Sequence, residues 1–304
     1  MTKLSQSKNL RLSVVLATRN EEANIGRCLE SVKKIASEMI VVDEYSTDKT
    51  TEIAKRLGAK VYLEPHHDIF HITKQKALDS AKGEWILQLD ADEVVTPELA
   101  DQIELVISNS RLVIPPEKLR LFRKHQELIE KRDGNIGKAG GPIVGYFIPR
   151  RNMFLGKPLI HAGVYPDGVI RLVKKGFARF PQKSVHEQIS LDGEVGWLSG
   201  DLLHYDSPTL KRYLARLNRY TDLIAKEYSE QKVPKNIFSF FSYVIIRPKL
   251  TFLSLYFRHK GFLDGVPGFL WSFFSASRFP LSYFKYLSKY KILSEEKSND
   301  SKNH

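Results

Sequence analysis

The chain has 304 residues, of which 42% are hydrophobic and 27% are charged, with one cysteine, Cys28. This composition supports a sizeable folded core, excludes wholesale disorder and an internal disulfide, and fits a reducing compartment. The formal net charge of +12 favours an anionic partner such as a nucleotide, a nucleic acid or an acidic membrane surface.

The first 110 residues alternate between short β-rich runs and stretches with helical spacing. Such alternation predicts βα units, and therefore a mainly parallel central sheet flanked by helices. A further helix is expected to begin at Pro97 with Thr96 as its N-cap. The predicted strands cover 11–18, 38–43, 59–65 and 84–90, and the predicted helices cover 22–35, 47–58, 71–83 and 210–228.

Two later segments differ from this pattern. Residues 111–142 combine a charged helix with a Gly-rich link, which we interpret as a helical insertion or lid. Residues 231–292 form an aromatic and basic block. Of the chain's 33 aromatic residues, 17 lie between 236 and 290. This composition is typical of interfacial helices and predicts a membrane-associating appendage; the alternative is a helical appendage packed on the core or on a second subunit.

The chain ends are expected to lie outside the folded part, with residues 1–10 flexible and residues 293–304 disordered. No secretory signal is recognised, and no uninterrupted apolar run reaches the roughly 18–20 residues of a spanning helix. We therefore expect a protein on the cytoplasmic side, in peripheral contact with the inner (plasma) membrane.

Acidic residues end two of the predicted strands. Asp43 and Asp90 both lie at carboxyl ends, where ligands of parallel sheets bind. Asp92 follows two residues after Asp90, so both carboxylates share one face of an extended strand end. Two carboxylates this close repel each other unless a cation or a proton lies between them, and a divalent cation such as Mg²⁺ is one candidate; an N-cap with solvated acids is the alternative.

The sequence strongly resembles the GT-A fold glycosyltransferases of family 2, the inverting nucleotide-sugar enzymes. The resemblance is carried by "VVLATRNEEANIGRCLESV", "IVVDEYSTDKT", "ITKQKALDSAKGEWILQLDADE", "FIPRRNMFLGKPL", "YPDGVIRL", "SVHE" and "GDLLHY". It implies a Rossmann-like GT-A catalytic domain over 11–230, with a nucleotide-binding half (11–110) and an acceptor half (143–230). The later motifs are most similar to the lipopolysaccharide core glucosyltransferase branch.

The resemblance implies roles for residues at the ends of the first two strands. Thr18 and Glu21 would line the nucleotide pocket. Asp43 would accept a hydrogen bond from the imide N–H of uracil; the alternative is a helix-capping acid.

The resemblance also implies contacts from the third helix and the fourth strand. Asp90, beside Ala91, would hold the ribose or a metal-bound water. Lys74 stands where the family usually has an arginine that contacts the nucleotide, and Gln75 replaces a common asparagine. Because lysine lacks the planar fork of arginine, this contact is expected to differ.

A divalent cation, Mg²⁺ or Mn²⁺, is the cofactor that the resemblance implies. Asp92 would ligate the ion that bridges the diphosphate. His186 and His204 are candidate third ligands or diphosphate contacts; a structural histidine is the alternative for each.

The catalytic base that the resemblance implies is Asp167 or Glu187, with Asp167 favoured. The alternative for both is a surface or turn carboxylate, since Pro-Asp-Gly is a strong turn signal. Arg150, Arg151 and Arg171 could contact the donor or an anionic acceptor, or could be solvated.

The expected function is metal-dependent, inverting transfer of a sugar from a UDP-sugar to a hydroxyl of a lipid-linked or cell-envelope glycan. Nucleotidyl transfer is disfavoured because "LATRNEEANIG" lacks a Gly-rich loop. A non-catalytic membrane or protein-binding module of the same fold is the alternative. Nucleic acid is not expected as a partner, because the sequence carries no recognition motif for it.

Overall fold

A computed structural model describes residues 11–67, 69–110, 112–134, 136–138, 140–181 and 189–300. The chain divides into two compact units. Unit 1 comprises residues 1–151 and 166–204, and unit 2 comprises residues 152–165 and 205–304. The domain boundaries expected from the sequence stay predictions.

The first part of unit 1 follows the predicted βα alternation. Strands β3, β2, β1 and β4 are adjacent and parallel. A short strand that was not predicted, β5, lies between β4 and the next helix. The strands are β1 (Leu12–Thr18), β2 (Glu38–Asp43), β3 (Lys60–Leu63), β4 (Trp85–Leu89) and β5 (Glu93–Val95), and the helices are α1 (Ile25–Val32), α2 (Thr50–Arg56), α3 (Phe70–Ser80) and α4 (Pro97–Ile107).

Most of the later strands join this sheet in antiparallel pairings, so the sheet as a whole is mixed. The elements are α5 (Pro116–Asp133), β6 (Ile143–Phe154), β7 (Lys157–Pro158), β8 (Asp167–Lys174), β9 (Ala178–Arg179), β10 (Ser190–Leu191), β11 (Glu194–Trp197) and β12 (Leu202–Ser207). Strand β8 pairs antiparallel with β4 and with β6, and β12 pairs antiparallel with β5. Strand β11 pairs parallel with β6, and β9 and β10 form a separate two-stranded sheet. The strand order is β3-β2-β1-β4-β8-β6-β12-β5.

Side-chain alternation along β1 divides the core of unit 1 into two layers. Leu12, Val14 and Leu16 pack in a cluster with residues of α1 and α4. Val15 faces the other way and packs in a cluster with residues of α3 and α5. Because both faces are covered, the central strands are apolar at nearly every position.

Helix α5 lies in the segment predicted to be an insertion or lid, and it contributes to this core. Its Phe122 is fully buried and stacks on Trp197, with ring centroids 4.6 Å apart. Ile129, about two turns later, joins the same cluster.

Unit 2 is mainly helical. Helix α6 (Leu210–Glu230) is followed by α7 (Ile237–Phe241), α8 (Arg247–Leu253) and α9 (Gly265–Asp300). The π-helical turn Ser242–Ile246 joins α7 to α8, and a second π-helical turn, Ser254–Arg258, continues α8 to the end of one helical segment; a 3₁₀ turn, Gly261–Asp264, precedes α9. Helix α9 extends to Asp300, eight residues into the tail for which the sequence predicts disorder.

Aromatic residues join the helices of unit 2. Ala225 and Tyr228 of α6 cluster with Tyr283 and Tyr286 of α9. The hydroxyl of Tyr286 donates to the carbonyl oxygen of Val233, at 2.7 Å. Packing therefore satisfies a buried polar group as well as burying ring surface.

The acid of the 3₁₀ turn, Asp264, binds the loop that precedes it in unit 2. Its carboxylate accepts the backbone N–H groups of Ile160 (3.1 Å) and His161 (2.8 Å). The other carboxylate oxygen lies 2.7 Å from Nδ1 of His161. This acid is therefore engaged within the unit.

Two of the predicted helices, 47–58 and 71–83, end at a glycine, and the structure gives each glycine a different reason. Gly58 has φ +91°, in the left-handed region that favours glycine. Gly83 has no such φ, but a Cβ there would lie 2.7 Å from the backbone nitrogen of Ser13. The backbone N–H of Gly83 donates to Oγ of Ser13 at 2.7 Å, which fixes this close approach.

We expect Gly83→Ala to lower the free energy of unfolding by about 1–3 kcal/mol, because the new methyl group overpacks the start of β1 at Ser13. Urea denaturation of both proteins measures the change. Gly141→Ala is the matched control, since nothing lies within 4 Å of its Cβ position. Equal stabilities of the two variants would contradict the close approach at Gly83.

Candidate functional site

A cavity of about 320 Å³ lies in unit 1 at the carboxyl ends of β1 and β4. Ligands of parallel sheets bind at such an edge. The lining residues are Ala17, Thr18, Arg19, Glu21, Phe70, Lys74, Asp90, Ala91, Asp92 and His204. Apart from Ala17, Arg19 and Phe70, these are residues singled out from the sequence, and their roles stay predictions.

Arg171 of β8 is buried and binds the acids beside this cavity. Its Nη2 donates to Oδ2 of Asp90 and to Oε1 of Glu93 (2.7 Å), and its Nη1 donates to Oε1 of Gln88 (2.6 Å). Burial alone would raise the pKa of Asp90, but the charges of Arg171 and Lys74 hold it well below its usual range. Asp90 is therefore ionised and fixed.

Glu93 is the main site-region residue that the sequence analysis missed. It is fully buried, with 0% exposure, and its Oε2 accepts the backbone N–H of Asp90 at 2.9 Å. The backbone N–H of Glu93 donates in turn to the carbonyl oxygen of Asp90, at 3.0 Å. Glu93 therefore closes the turn that carries Asp90 and Asp92. The available signal was a third acid in "DADE", followed by the Val-Val of a short strand.

Helix α3 supplies Lys74 to the site but directs Gln75 elsewhere. Nζ of Lys74 lies 2.6 Å from Oδ1 of Asp90, so its charge is already paired. Gln75 does not line the cavity. Its Oε1 accepts the backbone N–H of Phe180 (2.8 Å), and its Nε2 donates to Asp79 (2.7 Å).

Asp92 and His204 face each other, with Oδ2 and Nε2 3.6 Å apart. Burial, followed by the charges of Asp90 and two other carboxylates, raises the pKa of Asp92 to about 7. Burial, followed by the charge of Arg150, lowers the pKa of His204 to about 3. The imidazole is therefore neutral at pH 7, and the contact is too long for a hydrogen bond. This pair is not a salt bridge.

The same pair fits a divalent cation. Asp92 offers a carboxylate oxygen whose charge is repelled by neighbouring acids, a repulsion that a cation would relieve. His204 offers a neutral ring nitrogen. Within the described ranges, no three His, Cys, Asp or Glu side chains group as a complete metal site, so phosphate and water would supply the remaining ligands. His186 lies outside the described residues.

Asp43 is fully buried at the end of β2 and holds a tight turn. Its Oδ1 accepts the backbone N–H of Ser46 (2.7 Å). Its Oδ2 accepts the hydroxyls of Ser46 (2.6 Å) and Thr18 (2.8 Å). Asp43 therefore contacts a cavity residue, Thr18, but does not itself line the cavity. At the start of α2, the backbone N–H of Thr50 donates to a different acid, Asp48 (3.0 Å).

Tyr45 lies within this turn. It has φ +49°, and 60% of its surface is exposed. A bulky residue in the left-handed region is strained, so the turn holds it against its own preference.

Asp167 is the first residue of β8 and pairs with Arg150 of β6. Nε and Nη2 of Arg150 donate to Oδ2 of Asp167, at 3.0 and 2.6 Å. Nη1 of Arg150 also lies 3.6 Å from Oε1 of Glu93. Arg150 and Arg171 therefore contact acids of the protein, and Arg151 binds Asp201. Glu187, the competing candidate base, lies outside the described residues.

A family model matches the first part of the chain. Residues 13–119 match the family model described as "Glycosyl transferase family 2". An uncharacterized glycosyltransferase of Rickettsia typhi is 28% identical over 299 residues, covering 95% of this chain and 89% of the relative. The lipopolysaccharide core biosynthesis glycosyltransferase LpsC of Rhizobium meliloti is 28% identical over 284 residues, covering 88% of this chain and 92% of the relative.

Solved structures with similar chains include a mannosyltransferase, PcManGT from Pyrobaculum calidifontis, in complex with GDP-Man and Mn²⁺. It is 12% identical, with a TM-score of 0.47, and the match covers 92% of this chain and 87% of that one. Glucosyl-3-phosphoglycerate synthase from Mycobacterium tuberculosis, in complex with Mn²⁺, UDP-glucose and phosphoglyceric acid, is 28% identical, with a TM-score of 0.25, over 28% of this chain and 34% of that one.

We expect Arg171→Met to lower the free energy of unfolding by about 3–5 kcal/mol, because it leaves Asp90 and Glu93 without their shared cation. Urea denaturation measures the loss. Arg179→Met is the matched control from β9, and no measurable change is expected because its contact with Asp192 is exposed. Similar stabilities of the two variants would show that Arg171 does not hold the acids.

Proposed function

We propose a reaction for this chain, a glycosyltransferase that carries a glycosyl transferase family 2 domain over residues 13–119 and has a mixed central sheet. A sugar passes from a nucleoside-diphosphate donor, with a UDP-sugar favoured, to a hydroxyl of a lipid-linked or cell-envelope glycan. The anomeric centre is inverted. The cavity that brings Thr18, Glu21, Asp90 and Asp92 together at one sheet edge is the observation that carries this proposal.

Donor binding is assigned to the β1, β2 and β4 ends. Thr18 and Glu21, which line the cavity, contact the nucleotide, and Asp90, beside Ala91, holds the ribose or a metal-bound water. Asp43 binds the imide N–H of uracil. Because its carboxylate already accepts three hydrogen bonds and a carboxylate offers about four acceptor positions, one position remains for the base. Lys74 acts by pairing with Asp90, and Gln75 acts by accepting the backbone N–H of Phe180.

Mg²⁺ or Mn²⁺ is the proposed cofactor, held by Asp92 together with His204 or His186. When bound, such an ion neutralises the charge that develops on the leaving diphosphate. Arg171 and Glu93 keep the Asp90–Asp92 turn in place, so the carboxylate of Asp92 stays directed at the cavity. Burial keeps His204 uncharged and able to offer its nitrogen.

Proton transfer is assigned to Asp167, with Glu187 as the competing candidate. The acceptor oxygen attacks the anomeric carbon while the bond from that carbon to the diphosphate oxygen breaks. The proton of the attacking hydroxyl passes to the carboxylate, and the diphosphate leaves with the bonding electrons. Arg150 orients Asp167 through two hydrogen bonds to a single carboxylate oxygen.

The acceptor class and the localisation belong to the same proposal. Similarity to LpsC supports a lipopolysaccharide core or related envelope glycan as acceptor. The aromatic and basic block of unit 2 supports peripheral association with the cytoplasmic face of the inner membrane. No nucleic-acid partner is proposed.

We expect UDP binding to depend on Mg²⁺ or Mn²⁺ and to weaken at least about tenfold in Asp92→Ala, because the bridge to the diphosphate is lost. Isothermal titration calorimetry with and without the ion measures this. Asp101→Ala, an exposed acid of α4, is the control. UDP binding that ignores both the ion and the substitution would contradict the metal role. Wild-type protein that binds none of UDP, GDP and dTDP would favour a non-catalytic module.

We expect Asp167→Asn to lower kcat by about 10²–10⁴-fold, because the amide cannot take the acceptor's proton. UDP release from a panel of UDP-sugars, with extracted envelope lipids as acceptors, measures the rate. Asp192→Asn, a surface acid of unit 1, should leave the rate unchanged. Full activity of Asp167→Asn, with unchanged UDP binding, would assign the base to Glu187.

A further inference from the structure

The helical segment Ile237–Arg258 of unit 2 is long enough and apolar enough to cross a bilayer. It has 22 residues and a mean hydropathy of 1.2, and none of its most apolar stretch is buried. At 1.5 Å per residue it measures about 33 Å, close to the roughly 30 Å of a hydrocarbon core. Length and composition therefore allow either a spanning helix or one that lies along the surface.

Charged residues in the middle of this segment argue against spanning. Arg247 and Lys249 lie ten and twelve residues from the start of the segment, and both are exposed. A crossing helix would bring both cations close to the centre of the bilayer, where they are costly. The guanidinium of Arg247 instead lies 4.1 Å above the ring of Tyr243, an arrangement suited to a membrane interface.

One face of the segment is already packed within unit 2. Phe240, Tyr243 and Val244 are partly buried against the α6–α9 cluster. The ring of Tyr243 stacks on Tyr283 of α9, with centroids 5.2 Å apart and planes 3° apart. A spanning helix would have to leave α9 and break this packing.

The opposite face is apolar and exposed, and α9 extends it. Phe238 is 81% exposed, and Phe241 is also exposed. The ring of Phe269, an exposed residue of α9, lies 5.8 Å from that of Tyr256 and 6.2 Å from that of Phe273. Aromatic side chains of the segment and of α9 are therefore in contact, and both helices carry exposed rings.

The positive charge of this part of the chain indicates the kind of surface to which the exposed face binds. Between Glu230 and Glu295 the sequence has a single acid, Asp264, which is engaged with His161. Basic residues are interleaved through the same block, including Arg258 and Lys260. Anionic headgroups attract such a surface, whereas another apolar protein face would leave the cations unpaired.

We propose that unit 2 binds the surface of an anionic lipid bilayer, with segment Ile237–Arg258 lying in the membrane plane and not crossing it. This inference deepens the membrane association proposed above. It needs neither donor nor acceptor, so it can fail independently of glycosyl transfer.

Vesicle co-sedimentation of the full chain tests the surface. Binding is expected to vesicles containing phosphatidylglycerol, and to weaken strongly with phosphatidylcholine alone or at high salt. Arg247→Gln with Lys249→Gln should weaken binding about 25-fold, at about fivefold for each charge. Lys33→Gln with Lys34→Gln, two exposed lysines of unit 1, should not.

Phe238→Ser with Phe241→Ser should weaken vesicle binding at least about tenfold, because two rings no longer enter the acyl boundary. Leu128→Ser, a 61% exposed apolar side chain of α5, is the matched control. Equal binding to charged and uncharged vesicles, or an equal loss in the control, would overturn the proposal.

Labelling from outside the vesicles distinguishes an in-plane segment from a spanning one. Lys235→Cys and His259→Cys flank the segment, and the native Cys28 is buried, so wild-type protein sets the background. An in-plane segment lets a membrane-impermeant maleimide reach both positions on intact vesicles. Protection of one position until the vesicles are permeabilised would show a spanning helix, which keeps membrane association but overturns this orientation.

Discussion

One arginine side chain makes the acidic edge of the sheet compatible with folding. Asp90 and Glu93 lie at the two ends of one turn, and their carboxylates could not lie this close together without a cation between them. Arg171 reaches them from β8, the strand that pairs antiparallel with β4. The contact therefore joins the parallel half of the sheet, which carries the cavity, to the half that begins at β6.

The two aspartates at this edge are not neutralised equally by neighbouring cations, and the difference bears on metal binding. Asp90 contacts two cations, Arg171 and Lys74, so its carboxylate is neutralised within the protein. Asp92, two residues away, contacts a neutral imidazole, and its pKa is raised to about 7. The fold thus leaves one carboxylate of the pair in need of a cation, and this is the one proposed to meet the metal ion. Spacing alone could not say which of the two it would be.

The sequence predicts the parallel half of the sheet well because its signals are local. Apolar runs, helical spacing and the stops at Gly58 and Gly83 each depend on neighbours in the chain. The sequence did not predict β5, because a three-residue strand has too short a pattern and pairs with β12, about 110 residues away. The contacts of Arg171 were missed for the same reason, because its partners Asp90 and Glu93 are also distant in the chain.

The burial of polar groups and the length of the apolar helix also escaped prediction. Asp43 carries no sequence sign that its carboxylate is already bound by Ser46 and Thr18. The uninterrupted apolar run ends before Arg247, whereas the helical segment continues to Arg258 and is, on average, apolar enough to cross a membrane. In both cases the deciding information is three-dimensional. For Asp43 it is which groups donate hydrogen bonds to the carboxylate, and for the helix it is the side on which the charged residues lie.

The left-handed Tyr45 has a consequence for local motion. A strained, exposed residue between Asp43 and Ser46 lowers the free energy needed to open this turn relative to the buried strands on either side. The hydrogen bonds of Asp43 are therefore expected to break and re-form faster than the sheet itself fluctuates. Local opening at the end of β2 would then expose the remaining acceptor position of the buried Asp43 carboxylate without disturbing the core.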